Sequence, residues 1–85
     1  MASYRLLIKP SAAKEMEALP KRDRARLVER IAGLASAPRP TGSEKLSGEE
    51  HYRIRQGVYR VLYAIDDTNR SVVVVKIGHR RDVYR

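Results

Sequence analysis

The feature that most constrains the fold is an apolar run near the C-terminus of the chain. Residues 72–75 are four consecutive valines, and the run resumes at Ile77 after a single lysine. β-Branched residues favour strands, and a strand that is apolar without alternation is covered on both of its faces. The run therefore predicts a central strand of a sheet.

Two further strands are predicted upstream of this run. Residues 52–55, 58–65 and 71–77 are rich in β-branched and aromatic residues. Gln56-Gly57 and the polar residues 66–70 separate the three segments and have the composition of turns. Three sequential strands joined by short turns form a meander.

The N-terminal half predicts one strand and two helices. Residues 4–8 are β-prone and end at Lys9-Pro10, a strand terminator. Apolar spacing of three and four residues predicts helices over 12–19, with Ser11 as N-cap, and over 21–35. Because only a tight turn containing Pro20 separates the helices, we expect an antiparallel hairpin whose apolar stripes face one sheet.

The order of elements, β-α-α-β-β-β, predicts an α+β fold. Residues 37–43 and 47–50 have loop composition and interrupt the chain between the helices and the meander. We expect a single domain over residues 1–85, with the helix hairpin packed on one face of a mainly antiparallel sheet. The other face of the sheet is then left for function.

The hairpin over residues 52–65 is expected to place arginines together. If Gln56-Gly57 is a two-residue turn, Arg53 lies opposite Arg60, although a longer loop with a bulge would change that register. Side chains alternate along a strand, so Arg53, Arg55 and Arg60 share one face, and the other face carries Tyr52, Ile54, Tyr59, Val61, Tyr63 and Ile65.

Like charges that face each other across a sheet are unfavourable by up to ~1 kcal/mol. The three arginines therefore need an anion, or acidic residues from elsewhere in the chain. They are either a solvated strand face or, together with Arg80 and Arg81, a convergent basic patch that suits an RNA phosphate.

The composition narrows the class of partner. The 85 residues contain 18 Lys and Arg against 10 Asp and Glu, a net charge of +8, which favours an anionic partner and nucleic acid before membrane. The absence of Cys excludes disulfides and thiolate metal sites, and two His are too few for a zinc cluster. No apolar run approaches the ~20 residues of a membrane span. We expect a cytoplasmic protein that needs no metal or cofactor.

Several short motifs occur in a fixed order along the chain. They are Pro10-Ser11-Ala12, Ala37-Pro38-Arg39-Pro40, Lys45-Leu46-Ser47-Gly48, Tyr52-Arg53-Ile54-Arg55, residues 57–63 (GVYRVLY) and residues 77–84 (IGHRRDVY). With these motifs the chain resembles the RelE group of the RelE/ParE toxin superfamily, which comes from bacterial and archaeal toxin–antitoxin pairs. Each motif is weak alone, but the ordered set covers nearly the whole chain and is specific.

The resemblance implies a small ribonuclease that enters the ribosomal A site and cuts messenger RNA there. In that family the 2′-hydroxyl of the RNA attacks the adjacent phosphate, with no metal. By the resemblance, Arg53 and Arg60 bind the phosphate, Arg55 occupies the place of the proton acceptor, Arg80 lies near the leaving oxygen and Tyr84 orients or stacks the nucleotide. Lys45, His79 and Arg81 are expected to contact RNA.

The chain departs from the family at two of these positions. Relatives carry lysines where this chain has Arg53 and Arg55, and an arginine hardly ever loses its proton. The proton acceptor is therefore open: a mainly electrostatic mechanism leaves that task to the ribosome or to water, and His79 is a residue type suited to proton transfer. Tyr84 has an alternative role as well, since a terminal tyrosine can cover the edge of the sheet.

Two alternative functions accompany the ribonuclease hypothesis. ParE-like proteins share the fold but poison DNA gyrase, and the combination of Arg80 and Tyr84 after Gly78 favours the ribonuclease. A domain that binds RNA without cutting it would use the same patch. The expected partners are the ribosome, messenger RNA and a cognate antitoxin. The antitoxin would form a toxin–antitoxin hetero-oligomer, with an acidic or amphipathic segment lying along the surface of residues 27–35 or across the sheet.

Overall fold

The computed structural model describes residues 3–46 and 51–79. In chain order the elements are β1 (Arg5–Ile8), α1 (Pro10–Glu17), α2 (Lys21–Ala32), a 3-10 turn (Gly33–Ala35), β2 (Glu44–Lys45), β3 (His51–Gln56), β4 (Tyr59–Asp66) and β5 (Ser71–His79). The five strands form one sheet in the order β1-β5-β4-β3-β2. β1 runs parallel to β5 and the other pairs are antiparallel. The predicted α+β fold with a mainly antiparallel sheet is confirmed, with one strand, β2, that was not predicted.

A proline lies at the start of each helix, Pro10 in α1 and Pro20 before α2. α1 begins with Pro10 at its first position and Lys9 as N-cap, so the prediction of Ser11 as the cap was wrong. Proline has no N–H to satisfy and a φ already suited to a helix, which allows α1 to start without a side-chain cap. α2 ends at Ala32, and the predicted extension to Ala35 takes the tighter 3-10 form.

The core lies between the helices and one face of the sheet. The helices and the 3-10 turn contribute Ala12, Leu27, Ile31 and Leu34, and the sheet contributes Ile54, Val61, Tyr63, Val72, Val74 and Ile77. All ten side chains are at most 2% exposed. Tyr52 and Tyr59 pack against this cluster, which confirms the face predicted for the tyrosines.

The apolar run in β5 contains a bulge. Leu62 of β4 pairs with Lys76, and Tyr63 pairs with Val74, so Val75 is an extra residue in β5. Val74 and Ile77 are three residues apart, and strict alternation would point them to opposite faces. The bulge restores both to the core and puts Lys76 on the opposite face, which explains why a lysine interrupts the run.

The outer edge of β5 is closed by α1 beyond the end of β1. β1 ends at Ile8, which pairs with Val74, and Lys9 then donates its N–H to the Val74 carbonyl at 3.0 Å. Further along, the backbone N–H of Ile77 donates to the Glu15 carboxylate at 2.9 Å. Glu15 therefore satisfies part of a strand edge that would otherwise be open to pairing with another chain.

The β3–β4 hairpin turns at Gly57-Val58, not at the predicted Gln56-Gly57. Gln56 pairs with Tyr59, Arg55 with Arg60, and Arg53 with Leu62, so the predicted pairing of Arg53 with Arg60 was wrong. Gly57 has φ +62°, and a type II′ turn needs a positive φ at its first central position, which glycine adopts without strain. The register moves by two residues, so each arginine keeps its predicted face.

We expect Leu27→Ala to destabilise the fold by about 2–5 kcal/mol, because it removes a fully buried side chain from the core. The adjacent Val28 is 48% exposed on the same helix and provides a matched control. Val28→Ala should change the free energy of unfolding by less than about 0.5 kcal/mol in urea denaturation. Equal losses in the two variants would contradict the assignment of the core.

We expect Gly57→Ala to cost about 1–2 kcal/mol, because an L-residue is strained at a positive φ. An added Cβ meets no atom within 4 Å at Gly57 or at Gly33, so packing does not distinguish the two sites. Gly33 has a helical φ of −63°. Gly33→Ala should therefore leave stability unchanged or raise it by about 0.4–1 kcal/mol in the same denaturation assay. A Gly57→Ala variant as stable as the parent would exclude this turn.

Candidate nucleic-acid interface

Three arginines converge on the sheet face that points away from the core. Arg55 and Arg60 are direct partners across the β3–β4 ladder, and Arg53 lies two residues before Arg55 on the same face. Across β4, Arg60 pairs with Gly78, so the neighbouring position on β5 carries no side chain. We refer to Arg53, Arg55 and Arg60 as the arginine cluster.

A carboxylate from the edge strand β2 joins this cluster. Glu44 pairs with Arg53, so the two side chains share a face, and Arg53 Nη2 donates a hydrogen bond to Glu44 Oε1. The same carboxylate oxygen lies 3.9 Å from Arg55 Nη2. The Arg53 side chain is 10% exposed, whereas those of Glu44 and Arg55 are 57% and 60% exposed. Arg53 is therefore fixed in the sheet, and the other two side chains are open to solvent.

The cluster has the chemistry of an anion site. A guanidinium group stays protonated and offers a planar fork of N–H donors that matches carboxylate and phosphate oxygens. Two arginines held directly opposite each other also repel, and an anion placed between them relieves that repulsion. The contact of Glu44 with Arg53 and Arg55 shows how a negatively charged oxygen is received here.

Two of the other predicted RNA contacts lie on the opposite side of the sheet. Lys45 pairs with Tyr52 and His79 pairs with Tyr59, and both tyrosines belong to the core face. The His79 ring contacts Tyr59 edge-on, with 6.3 Å between ring centroids. The structure therefore brings together Arg53, Arg55 and Arg60 but not Lys45 or His79. Arg80, Arg81 and Tyr84 fall outside the described residues.

The side of the sheet that carries His79 is tied to α2. The Tyr59 hydroxyl donates to Asp23 Oδ2 at 3.1 Å. Burial raises the pKa of Tyr59, and the hydrogen bond to Asp23 raises it further, so the phenol stays protonated. Tyr59 is thus a structural residue that joins β4 to α2.

Arg39 secures the segment that leads from the helices to β2. Its guanidinium donates to both oxygens of Asp67, at 3.3 and 2.9 Å, and its Nε donates to the Tyr52 hydroxyl at 3.1 Å. Tyr4 donates to the same Asp67 carboxylate at 2.6 Å. Through Asp67, Arg39 therefore connects the loop before β2 to the β4–β5 turn and to the residue before β1.

No metal site is found in the described part of the chain, where no three His, Cys, Asp or Glu side chains come together. No helix within residues 3–46 and 51–79 has the length and apolar character needed to cross a bilayer.

Comparison with known proteins places the chain in a family. The model of the ParE toxin of type II toxin–antitoxin systems, parDE, matches residues 6–84. The chain belongs to the RelE/ParE superfamily of type II toxins. Toxin RelG of Mycobacterium tuberculosis is 35% identical over 86 residues, which cover 96% of this chain and 97% of RelG. Toxin RelE of the same organism is 34% identical and covers 96% of this chain and 87% of that protein.

Solved structures of RelE toxins share the fold. The RelBE2 toxin–antitoxin complex of M. tuberculosis has a chain that matches with a TM-score of 0.82 and 30% identity, over 93% of this chain and all of that chain. The archaeal RelE–RelB complex of Pyrococcus horikoshii matches with a TM-score of 0.84 and 29% identity, over 95% and 99% of the two chains. The predicted RelE resemblance and the RelE-like fold are therefore confirmed.

Two residues at or near this candidate site were missed from the sequence. Glu44 lies in a strand of two residues, too short to produce a periodic pattern, and its proximity to Arg53 arises only from strand pairing. Arg39 was noted as part of a motif, but its partner Asp67 is 28 residues away. An acidic residue directly before the Lys45-Leu46-Ser47-Gly48 motif is the one local signal for Glu44.

We expect the Asp67 contacts to make stability depend on pH. The hydrogen bonds from Arg39 and then from Tyr4 hold the pKa of Asp67 below its ordinary value. A carboxyl with a depressed folded-state pKa stabilises the fold above its unfolded pKa of about 3.9, and this contribution is lost as pH falls through the folded value. Asp67→Asn should therefore lower Tm at pH 6, and the gap to the parent should close below about pH 4.

Arg39→Met provides the matched control for this pH series. If Asp67 acts through Arg39, Asp67→Asn should change Tm less in the Arg39→Met background than in the parent chain. A gap between parent and Asp67→Asn that stays constant from pH 6 to pH 3 would exclude the linkage.

Proposed function

We propose that this toxin is a ribosome-dependent endoribonuclease that cuts messenger RNA in the A site and so inhibits translation. The observation that supports this function is the arginine cluster: three guanidinium groups on one sheet face, with Arg55 and Arg60 in direct cross-strand register. Such a cluster suits the phosphate of a polyanion. The named relatives RelG and RelE are toxins, and each aligns with 96% of this chain.

The proposed reaction is a transfer within the RNA. The 2′-oxygen bonds to the adjacent phosphorus, the bond from phosphorus to the 5′-oxygen breaks, and the products are a 2′,3′-cyclic phosphate and a 5′-hydroxyl. The 2′-proton passes to water or to a ribosomal group, and water returns a proton to the leaving 5′-oxygen. Arg53, Arg55 and Arg60 stabilise the extra negative charge of the pentacoordinate phosphorane.

The residue types of the cluster decide which catalytic tasks it performs. Arg55 occupies the position where relatives place a proton acceptor, but a guanidinium does not release its proton at neutral pH. We therefore assign Arg55 an electrostatic role. Arg80 near the leaving oxygen, Tyr84 on the nucleotide and an RNA contact by Arg81 remain part of the proposal. Lys45 and His79 lie on the other side of the sheet, so any RNA contact they make is separate from the phosphate site.

A cognate antitoxin is the proposed protein partner, in a hetero-oligomer formed in the cytoplasm. The M. tuberculosis RelBE2 structure is a toxin–antitoxin complex, and the P. horikoshii structure is a RelE–RelB complex. A chain with a net charge of +8 and three arginines on one sheet face would attract an acidic segment.

A ParE-like action on DNA gyrase is the second candidate. The family model that matches residues 6–84 is named for ParE. A shared fold does not determine the target, so the two functions must be separated by experiment.

The ribonuclease is tested by mapping new messenger 5′ ends minutes after the chain is induced without antitoxin. We expect cuts inside translated codons at a fixed position in the reading frame. With purified ribosomes, Arg60→Ala should slow single-turnover cleavage about 10²–10³-fold, the usual effect of removing one preorganised donor to a developing charge. Tyr84→Phe tests the proposed nucleotide contact in the same assay.

Arg22→Ala is the matched control because it removes the same charge from an exposed position on α2. Circular dichroism must first show that each variant is folded. Growth arrest without new 5′ ends, accompanied by a change in plasmid supercoiling, would replace the ribonuclease with the gyrase candidate. If the parent binds RNA without cutting it, and Arg60→Ala weakens that binding, the chain is an RNA-binding domain and not a nuclease.

A further inference from the structure

We propose that the Glu44 carboxylate occupies the anion site of the arginine cluster in the free protein and is displaced when an RNA phosphate enters. Glu44 then sets the affinity of the cluster for RNA. This inference rests on the proposed function, since it takes RNA as the incoming anion.

The first support is the position of the carboxylate. Glu44 Oε1 accepts a hydrogen bond from Arg53 Nη2 and lies 3.9 Å from Arg55 Nη2. A carboxylate and a phosphodiester each carry one negative charge and present oxygens that an arginine fork receives in the same way. The Glu44 oxygen therefore marks a place where a phosphate oxygen can bind between two arginines.

The second support is the contrast in burial between the partners. The Arg53 side chain is 10% exposed, and an enclosed charge is costly without a partner of opposite sign. Glu44 provides such a partner in the free protein. Its own side chain is 57% exposed, so it can turn into solvent, whereas Arg53 is held in place and remains to receive the phosphate.

The third support is the element that carries Glu44. β2 contains two residues and pairs with β3 alone at the edge of the sheet. A strand this short at an edge is weakly held, because few ladder hydrogen bonds resist its movement. Glu44 can therefore leave by rotation of its side chain or with a small shift of β2, without disturbing the core.

The exchange of Glu44 for an RNA phosphate predicts a different result from an ion pair that only supports the fold. Removing the Glu44 charge takes away both one partner of Arg53 and the competitor of the phosphate. Stability should therefore fall while the affinity for RNA rises. A residue that merely supports Arg53 would lower both, because a disordered Arg53 would bind phosphate less well.

The test compares the parent chain, Glu44→Gln and Glu17→Gln, free of antitoxin and ribosome. Glu17 is exposed at the end of α1, and its substitution changes the net charge by the same amount. The probe is a fluorescein-labelled single-stranded 2′-O-methyl RNA, which cannot undergo 2′-attack, so binding is measured without cleavage. Fluorescence anisotropy gives Kd, and thermal melting gives Tm.

We expect Glu44→Gln to bind the probe about fivefold more tightly, the effect of one unit charge ~4 Å away in water, and to melt at a lower temperature. Glu17→Gln should stay near the parent in both. An equal rise in affinity in Glu17→Gln would attribute the effect to net charge and overturn the proposal. An RNA affinity that is unchanged or weaker in Glu44→Gln would overturn the proposal as well. If that variant also loses cleavage on ribosomes, Glu44 acts as the proton acceptor instead.

The outcome is independent of the outcome for the ribonuclease. Tighter binding in Glu44→Gln, with no cleavage by the parent on ribosomes, supports the exchange and rejects the nuclease. Cleavage by the parent on ribosomes, with no gain in RNA affinity in Glu44→Gln, supports the nuclease and rejects the exchange. If Glu44→Gln yields too little folded protein, Glu44→Asp replaces it in the test. Because the shorter Asp side chain holds Arg53 less well, we expect a smaller gain in RNA affinity. No gain in affinity would overturn the exchange.

Discussion

The helices of this toxin bury their apolar side chains against a single face of the sheet, and the rest of the structure depends on that one-sided packing. Leu27 and Ile31 of α2 and Ala12 of α1 meet the inward side chains of β3, β4 and β5, and these contacts exclude water. A shift of one residue in β3 or β4 would bring arginines into this core, where a charge without a partner is very costly. The burial of the core therefore fixes the face on which the arginine cluster stands.

The bulge at Val75 reconciles the apolar run with this arrangement. It allows Val74 and Ile77 to enter the same core although their spacing is odd, and it turns Lys76 to the face of the arginines. The same register places Gly78 beside Arg60, so the β5 position that pairs with Arg60 carries no side chain. The packing of Val74 and Ile77 on the core face of β5 thus determines which β5 residues lie beside the arginines on the opposite face.

The arginine cluster combines a cost to stability with a capacity for binding. Arg55 and Arg60 face each other as like charges, an arrangement that disfavours folding unless an anion is near. Glu44 supplies a negative charge from the edge strand, and Arg39, anchored on Asp67, secures the loop that leads to it. The relatives in the RelE/ParE superfamily share the sheet on which these residues stand, whereas the electrostatics of the site are set by this chain's own side chains.

The sequence by itself determined the element types, the α+β class and the face of each arginine. These follow from local rules: helical spacing over 21–35, alternation over 52–65 and the restrictions that proline and glycine place on the backbone. The RelE resemblance was also carried by the sequence, because its motifs are ordered along the chain. The predicted face of Arg53, Arg55 and Arg60 was correct although the predicted turn position was wrong. The register error was two residues, and side chains alternate between faces with a period of two.

Only the tertiary structure decided the register, the bulge and the neighbours of the cluster. Moving the hairpin turn from Gln56-Gly57 to Gly57-Val58 exchanges cross-strand partners without changing the hydrophobic pattern, so the pattern could not select between them. β2 is too short to have a pattern at all, and Glu44 meets Arg53 through strand pairing alone. Lys45 and His79, grouped with the arginines by motif, lie on the other side because their pairing partners Tyr52 and Tyr59 face the core. The composition of a site can be read from neighbouring residues in the chain, but its geometry depends on contacts between distant segments, which form only when the sheet assembles.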